Sequence, residues 1–168
     1  MGLASKYGAR PEWNSLDGTA LQRPDFMNLA LAEAEAAAAR GEVPVGAVIA
    51  SGNAVVASAG NRTRELRDPT AHAEMLAIRD AARLLSAERL DGTDLYVTLE
   101  PCAMCAAAIS FARIRRLYFG ADDAKGGAVV SGVRFFASPT CHHAPEIYPG
   151  IGETRAAELL TGFFRDRR

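Results

Sequence analysis

The spacing of apolar positions divides the chain into alternating helical and extended stretches. Phe26, Leu29, Leu31 and the alanines after them recur at helical intervals between Pro24 and Gly41, which predicts a helix over residues 24–40. Two short β-rich runs, 45–50 and 55–59, are joined across Ser51-Gly52-Asn53 and predict a hairpin. Residues 60–69 carry no periodicity, but they end at Thr70, a good N-cap, and a helix is expected over 71–87 with His72 and Glu74 in its first turn. Further on, 93–99 reads as a strand, 102–112 as a helix with both of its cysteines in the first turn, and 114–120 as a strand. That succession has the form of a parallel βαβ unit in an α/β fold. Residues 121–152 read as loop. The last helix, 153–168, sets Leu159, Leu160, Phe163 and Phe164 on an apolar side and ends in arginines that suit its dipole.

Bulk properties narrow the setting. A chain of 168 residues is long enough for one domain with a core that needs no disulfides. Gly2, Gly8, Pro11, Asn14 and Gly18 interrupt every apolar run before residue 23, so 1–22 reads as a flexible leader and 23–168 as the domain. Net charge is −1 and the sequence pI about 6.3, so contact with nucleic acid would need a local basic patch. No apolar run reaches membrane-spanning length, and the first 25 residues lack the apolar centre of a signal peptide. The expectation is a cytoplasmic protein with reduced thiols and no membrane contact.

Two short motifs carry the chemistry: His72-Ala73-Glu74, and Pro101-Cys102-Ala103-Met104-Cys105. His72, Cys102 and Cys105 supply three zinc ligands, which leaves the fourth tetrahedral position for water, the arrangement of a catalytic site. Cysteines three apart on a helix share a face and form a chelate, and helix N-termini favour their thiolate form. Residues two apart point in different directions, which keeps Glu74 out of the ligand set but near the water, where it acts as general base. The pair matches the H-x-E and P-C-x-x-C signature of zinc-dependent nucleobase deaminases. With only three cysteines, a second C-x-x-C that would complete a structural zinc knot is missing. Cys141-His142-His143 crowds its donors too closely for a second ion and reads as a polar loop with a free thiol.

Longer blocks of text widen the match. Gly41-Glu42-Val43-Pro44-Val45-Gly46-Ala47, Asn61-Arg62, Asp68-Pro69-Thr70-Ala71-His72-Ala73-Glu74, 95–105, Phe119-Gly120-Ala121 and Asp123-Ala124-Lys125 follow one another in order. Over residues 24–131 and the C-terminal tail the chain resembles the bacterial tRNA-specific adenosine deaminases of the cytidine deaminase-like superfamily. The resemblance implies a three-layer αβα sandwich around a five-stranded mixed sheet, one Zn²⁺ per subunit, a homodimer whose subunits both contact RNA, and a wobble adenosine in a tRNA anticodon loop as substrate. It assigns zinc binding to His72, Cys102 and Cys105 and proton transfer to Glu74. It gives substrate binding to Asn61, which would hold the flipped purine, and to Ala73, Pro101 and Asp123, the last near the sugar and phosphate path.

A phosphate-binding rim is expected from Arg113, Arg115, Arg116, Lys125, Arg134, Arg165, Arg167 and Arg168, although strand alternation sends Arg115 and Arg116 to opposite faces. Lys125, Phe164, Arg165 and Arg167 are the candidate RNA contacts. Residues 132–149 depart from the family pattern, which carries a longer apolar segment leading to an Asn-His pair. Two other readings stay open: the same chemistry on a free nucleobase or nucleoside such as guanine or cytosine, and a non-catalytic zinc-stabilised partner subunit, which would have no need of Glu74.

Overall fold

In the computed structural model, residues 24–167 are described. The reading of 1–22 as a leader lies outside them. The element order is α1 (Phe26–Ala39), β1 (Gly46–Ser51), β2 (Ala54–Gly60), α2 (Thr63–Leu66), α3 (Ala73–Leu84), β3 (Asp94–Leu99), α4 (Ala103–Phe111), β4 (Arg116–Ala121), β5 (Glu146–Tyr148) and α5 (Glu153–Arg165). The five strands lie in the order β2-β1-β3-β4-β5. β1 runs antiparallel to both neighbours, whereas β3, β4 and β5 are parallel, so the sheet is mixed.

Alternation along the strands feeds two cores. Ala47, Ile49, Leu95, Val97, Leu117 and Phe119 face α3 and α4, while Val48, Ala50, Tyr96 and Ala121 face α1 and α5. The expected three-layer αβα sandwich is the result. The alanines of α1 have a steric purpose: Ala30, Ala34 and Ala37 are fully buried, and a Cβ on Gly46 would collide with the Ala30 carbonyl. Helix and sheet therefore approach more closely than larger residues would allow. On the same face Tyr96, Tyr118 and Tyr148 are in register across three strands and stack at 4.4 and 4.7 Å between centroids.

Several boundaries differ from the sequence reading. Thr70 does not cap α3: its N–H and hydroxyl both donate to Asp68 Oδ1 in a local turn, and the helix begins only at Ala73, with His72 in the N-cap position. Cys102 likewise precedes α4 instead of lying in its first turn. β4 starts at Arg116, two residues later than expected, and α5 ends at Arg165. Residues 60–69 hold the four-residue helix α2, and the stretch read as loop contains a 3₁₀ turn, Phe135–Ala137, together with β5. All three additions are short, and α2 and β5 are held by tertiary bonds. Buried Glu42 accepts the N–H groups of Arg64 and Glu65 at the start of α2.

Candidate active site

Because β2, β3 and β4 all point the same way, their C-terminal ends lie at the same end of the sheet, with the start of β1 between β2 and β3. Asn61 follows β2, Cys102 follows β3 and Asp123 follows β4, so the strand ends gather the candidate residues before any side chain is considered. The starts of α3 and α4 face this end.

His72 and Cys102 occupy equivalent places. Each is the N-cap residue of its helix with extended backbone, ψ 152° and 174° respectively, and neither makes a side-chain cap. An N-cap residue and the third residue of the following turn face one another, as in a capping box, and this brings Cys105 alongside Cys102. His72 Nδ1 lies 3.7 Å from Cys102 Sγ and 3.6 Å from Cys105 Sγ. One ion with Zn–S about 2.3 Å and Zn–N about 2.0 Å at tetrahedral angles calls for an N···S separation of about 3.5 Å. The three donor atoms lie within 4.8 Å of one another and fit a single zinc ion. Among the described residues no other His, Cys, Asp and Glu group could hold a metal.

Charges at the site follow from this geometry. The hydrogen bond from Cys105, with the His72 contact, draws Cys102 down to about 4, and the same pairing together with burial pushes Cys105 strongly up. The two thiols thus share one proton, which a bound zinc ion would displace. His72 is raised, chiefly by its contact with Cys102. Glu74, 4% exposed, is pushed up to about 7 by burial, which outweighs the attraction of His72. Glu74 is the second residue of α3 whereas His72 lies outside the helix, and the three candidate ligands do not include Glu74. The Glu74 carboxyl is hydrogen-bonded to Cys105, whose Sγ also lies 3.6 Å from His72 Nδ1.

Asn61 is buried at 7% exposure, and its Oδ1 accepts the N–H of Ala73 at 2.8 Å. Since that partner is a donor, the amide orientation is fixed and Nδ2 is left to donate. Pro101 is buried, and its carbonyl accepts the N–H of Ala128. Asp123 uses Oδ1 to accept from the N–H groups of Lys125 and Gly126, closing the turn after β4.

Glu100 belongs to the site's framework, although the motifs gave it no role. Only 2% exposed, its carboxylate accepts the N–H groups of Asp123, Val129, Val130 and Ser131 and the Ser131 hydroxyl. Burial opposes its ionisation, yet these donors hold it below the usual carboxylate range. A clue was available in its place directly before Pro101, where a charged side chain ends an apolar strand.

The basic residues divide. Arg115 is committed to buried Asp94 at 2.9 Å, Arg116 pairs with Glu146 at 3.2 Å, and Arg113 and Arg134 each donate to a backbone carbonyl. At the tail, Arg165 pairs with Asp166, Arg167 lies 3.9 Å over the ring of Phe163, and Phe164 is 51% exposed. Arg167 also lies against Gly41, just before Glu42, so the tail meets the chain that supports α2 beyond Asn61. In the 141–143 loop, His143 Nε2 is 2.7 Å from the Ile114 carbonyl and Cys141 Sγ contacts Ser110 Oγ, both structural contacts.

Residues 21–121 match the family described as the cytidine and deoxycytidylate deaminase zinc-binding region. A tRNA-specific adenosine deaminase from Agrobacterium fabrum is 64% identical over 147 residues, 88% of this chain and 97% of that protein. The chain belongs to the tRNA-specific adenosine deaminase family. A member from Bacillus subtilis is 39% identical, covering 85% of this chain and 89% of its own. Among solved structures, one from a study of A-to-I editing by tRNA:A34 deaminases has 66% identity and a TM-score of 0.79, covering 80% of this chain and 98% of that one. A guanine deaminase from Nitrosomonas europaea shares the fold at 22% identity, with a TM-score of 0.72 over 82% of each chain. As in the family at large, zinc is the cofactor here.

Proposed function

We propose that this protein hydrolyses the wobble adenosine of a tRNA anticodon loop to inosine. The observation that carries the substrate is the 64% identity spanning 97% of a relative so named, and the site supplies the chemistry. His72, Cys102 and Cys105 hold the zinc. Bound there, the ion supplies the Lewis acidity that makes water a nucleophile at neutral pH. Glu74 takes a proton from the attacking water and delivers it to purine N1, then takes the remaining proton from the C6 hydroxyl and passes it to the departing amine. Oxygen adds at C6, the C6–N bond breaks, ammonia leaves, and C6 becomes the carbonyl carbon of inosine. A carboxyl held near pH 7 by burial suits both halves of that transfer. Asn61 presents Nδ2 to the base and Asp123 borders the sugar, between the buried walls formed by Ala73 and Pro101.

Lys125, Phe164, Arg165 and Arg167 make the RNA contacts of this reading. Arg115 and Arg116, paired with Asp94 and Glu146, are left out of it. The protein works as a homodimer in the cytoplasm, and Phe111 and Val133, each 71% exposed, are apolar groups for a second copy to cover. No helix among the described residues is long and apolar enough to cross a membrane.

Ammonia release by the zinc-loaded protein tests the reading, with an anticodon stem-loop bearing a wobble adenosine set beside free guanine, cytosine, adenosine and cytidine. Inosine in the stem-loop, with binding that weakens steeply as salt rises, is the expected result. Turnover of a free base with an inert stem-loop would transfer the protein to nucleobase metabolism. Full zinc with no turnover of any substrate would leave a non-catalytic subunit.

A further inference from the structure

Glu100 stands directly before Pro101 and Cys102, at the end of β3, and gathers five donors from one segment. Three consecutive N–H groups, from Val129, Val130 and Ser131, converge on Oε1 at 3.1, 2.8 and 2.8 Å. Successive amides aimed at one point form an anion nest, and here a side chain of the same protein fills it. Oε2 takes the Asp123 N–H and the Ser131 hydroxyl, each at 2.9 Å. The same segment is tied to the ligand strand through the backbone as well. Cys102 forms a β-bridge with Gly127, and Ala128 N–H donates to the Pro101 carbonyl. A Cβ on Gly127 would overlap the Glu100 carboxylate, so the chain passes directly over it.

We propose that Glu100 is a positioning residue for substrate, which locks the 123–131 segment to the strand end bearing Cys102 and thereby fixes Asp123 beside the zinc site. The inference rests on the deaminase reading of that site and on the place given there to Asp123. The Glu100 carboxylate is engaged by that segment, and not by the metal ligands or Glu74. Its effect therefore falls on substrate binding, while the proton transfer by Glu74 is untouched.

The two carboxylate oxygens have separable duties, which makes the test specific. In Glu100→Gln the remaining oxygen can keep the three-amide nest, but the new NH₂ faces the Asp123 N–H and cannot accept from it. Amide hydrogen exchange read residue by residue should show Asp123 exchanging about tenfold faster, the loss of one net hydrogen bond, while Val129, Val130 and Ser131 stay within about threefold of wild type. Zinc content should remain one per chain. With the stem-loop, KM should rise about tenfold and kcat stay within about threefold.

Unchanged exchange at Asp123, or a fall in kcat at constant KM, would overturn the proposal. Should Glu100→Gln fail to fold, Ser131→Ala removes one bond from Oε2 and leaves the charge in place. It should raise KM a few-fold, and a wild-type KM there would also overturn the proposal. The exchange measurement needs no substrate. An inert wild-type enzyme on the stem-loop would therefore refute the functional reading while the exchange data still decide the part played by Glu100.

Discussion

Asn61 Oδ1 accepts the backbone N–H of Ala73 at 2.8 Å, so the residue that leaves β2 also closes the first turn of the helix carrying Glu74. It does what a capping side chain does, from twelve residues away, since the N-cap residue His72 points its ring at the two thiols. Removing it in Asn61→Ala leaves a buried N–H without a partner, and a loss of about 1–3 kcal/mol is expected in denaturant unfolding. Asn61→Asp keeps an acceptor and loses the Nδ2 donor. Stability nearer to wild type with turnover as low as in Asn61→Ala would separate the capping duty from the contact with the base, and equal instability of the two variants would contradict it.

Glu74→Gln tests the proton carrier. The amide fits the same buried space and removes the cost of burying a charge, so zinc content should persist and the melting temperature should not fall. A neutral amide cannot carry a proton between water and purine, and kcat should drop by about 10³-fold. Near wild-type kcat in this variant would remove Glu74 from the mechanism.

The pair of Arg115 and Asp94 distinguishes a structural cation from one that meets RNA. Asp94 is 4% exposed in its side chain, and two bonds from Arg115 at 3.0 and 2.9 Å neutralise it. In Arg115→Ala that buried carboxylate stands alone. Because water reaches the arginine side, the expected cost is about 2 kcal/mol, below the range for a fully buried pair. The salt dependence of stem-loop binding should be unchanged, whereas Arg167→Ala should flatten it by about one counterion. A flatter salt slope in Arg115→Ala would return that residue to the phosphate rim.

Legibility in the sequence followed the range of each interaction. The β-rich runs at β1 and β3 and the helical spacing of α1 are local, and they sufficed to mark those elements, whereas the layers of the sandwich came from the family resemblance. His72, Cys102 and Cys105 were legible because metal chelation demands fixed residue types at short spacing. Thr70 misled because two rules competed for it: a good N-cap residue also makes a local turn with an aspartate two positions earlier, and Asp68 won. α2 and β5 escaped because neither has a periodicity of its own. The first leans on Glu42 and the second on pairing with β4, from 22 and 30 residues away. Glu100 escaped for the same reason, since its partners lie at 123 and at 129–131.

The edge strand β5 supplies a pH test. Glu146 accepts from the Tyr148 hydroxyl at 2.7 Å and from Arg116 at 3.2 Å, and these two contacts, the tyrosine first, hold its carboxyl below the ordinary value of 4.5. A carboxyl depressed on folding contributes stability that is fully present above the unfolded pKa and is lost as pH falls through the folded one. Wild type should therefore melt above Glu146→Gln at pH 7. Solvent around the pair keeps the gap small, and it should close as pH is lowered past 4.5. The measurement is the melting temperature of both proteins across that window. A gap that widens on acidification would mean that Glu146 is repelled at this edge instead of held, and that the backbone ladder with β4 and the stacked Tyr118 and Tyr148 rings secure β5 without it.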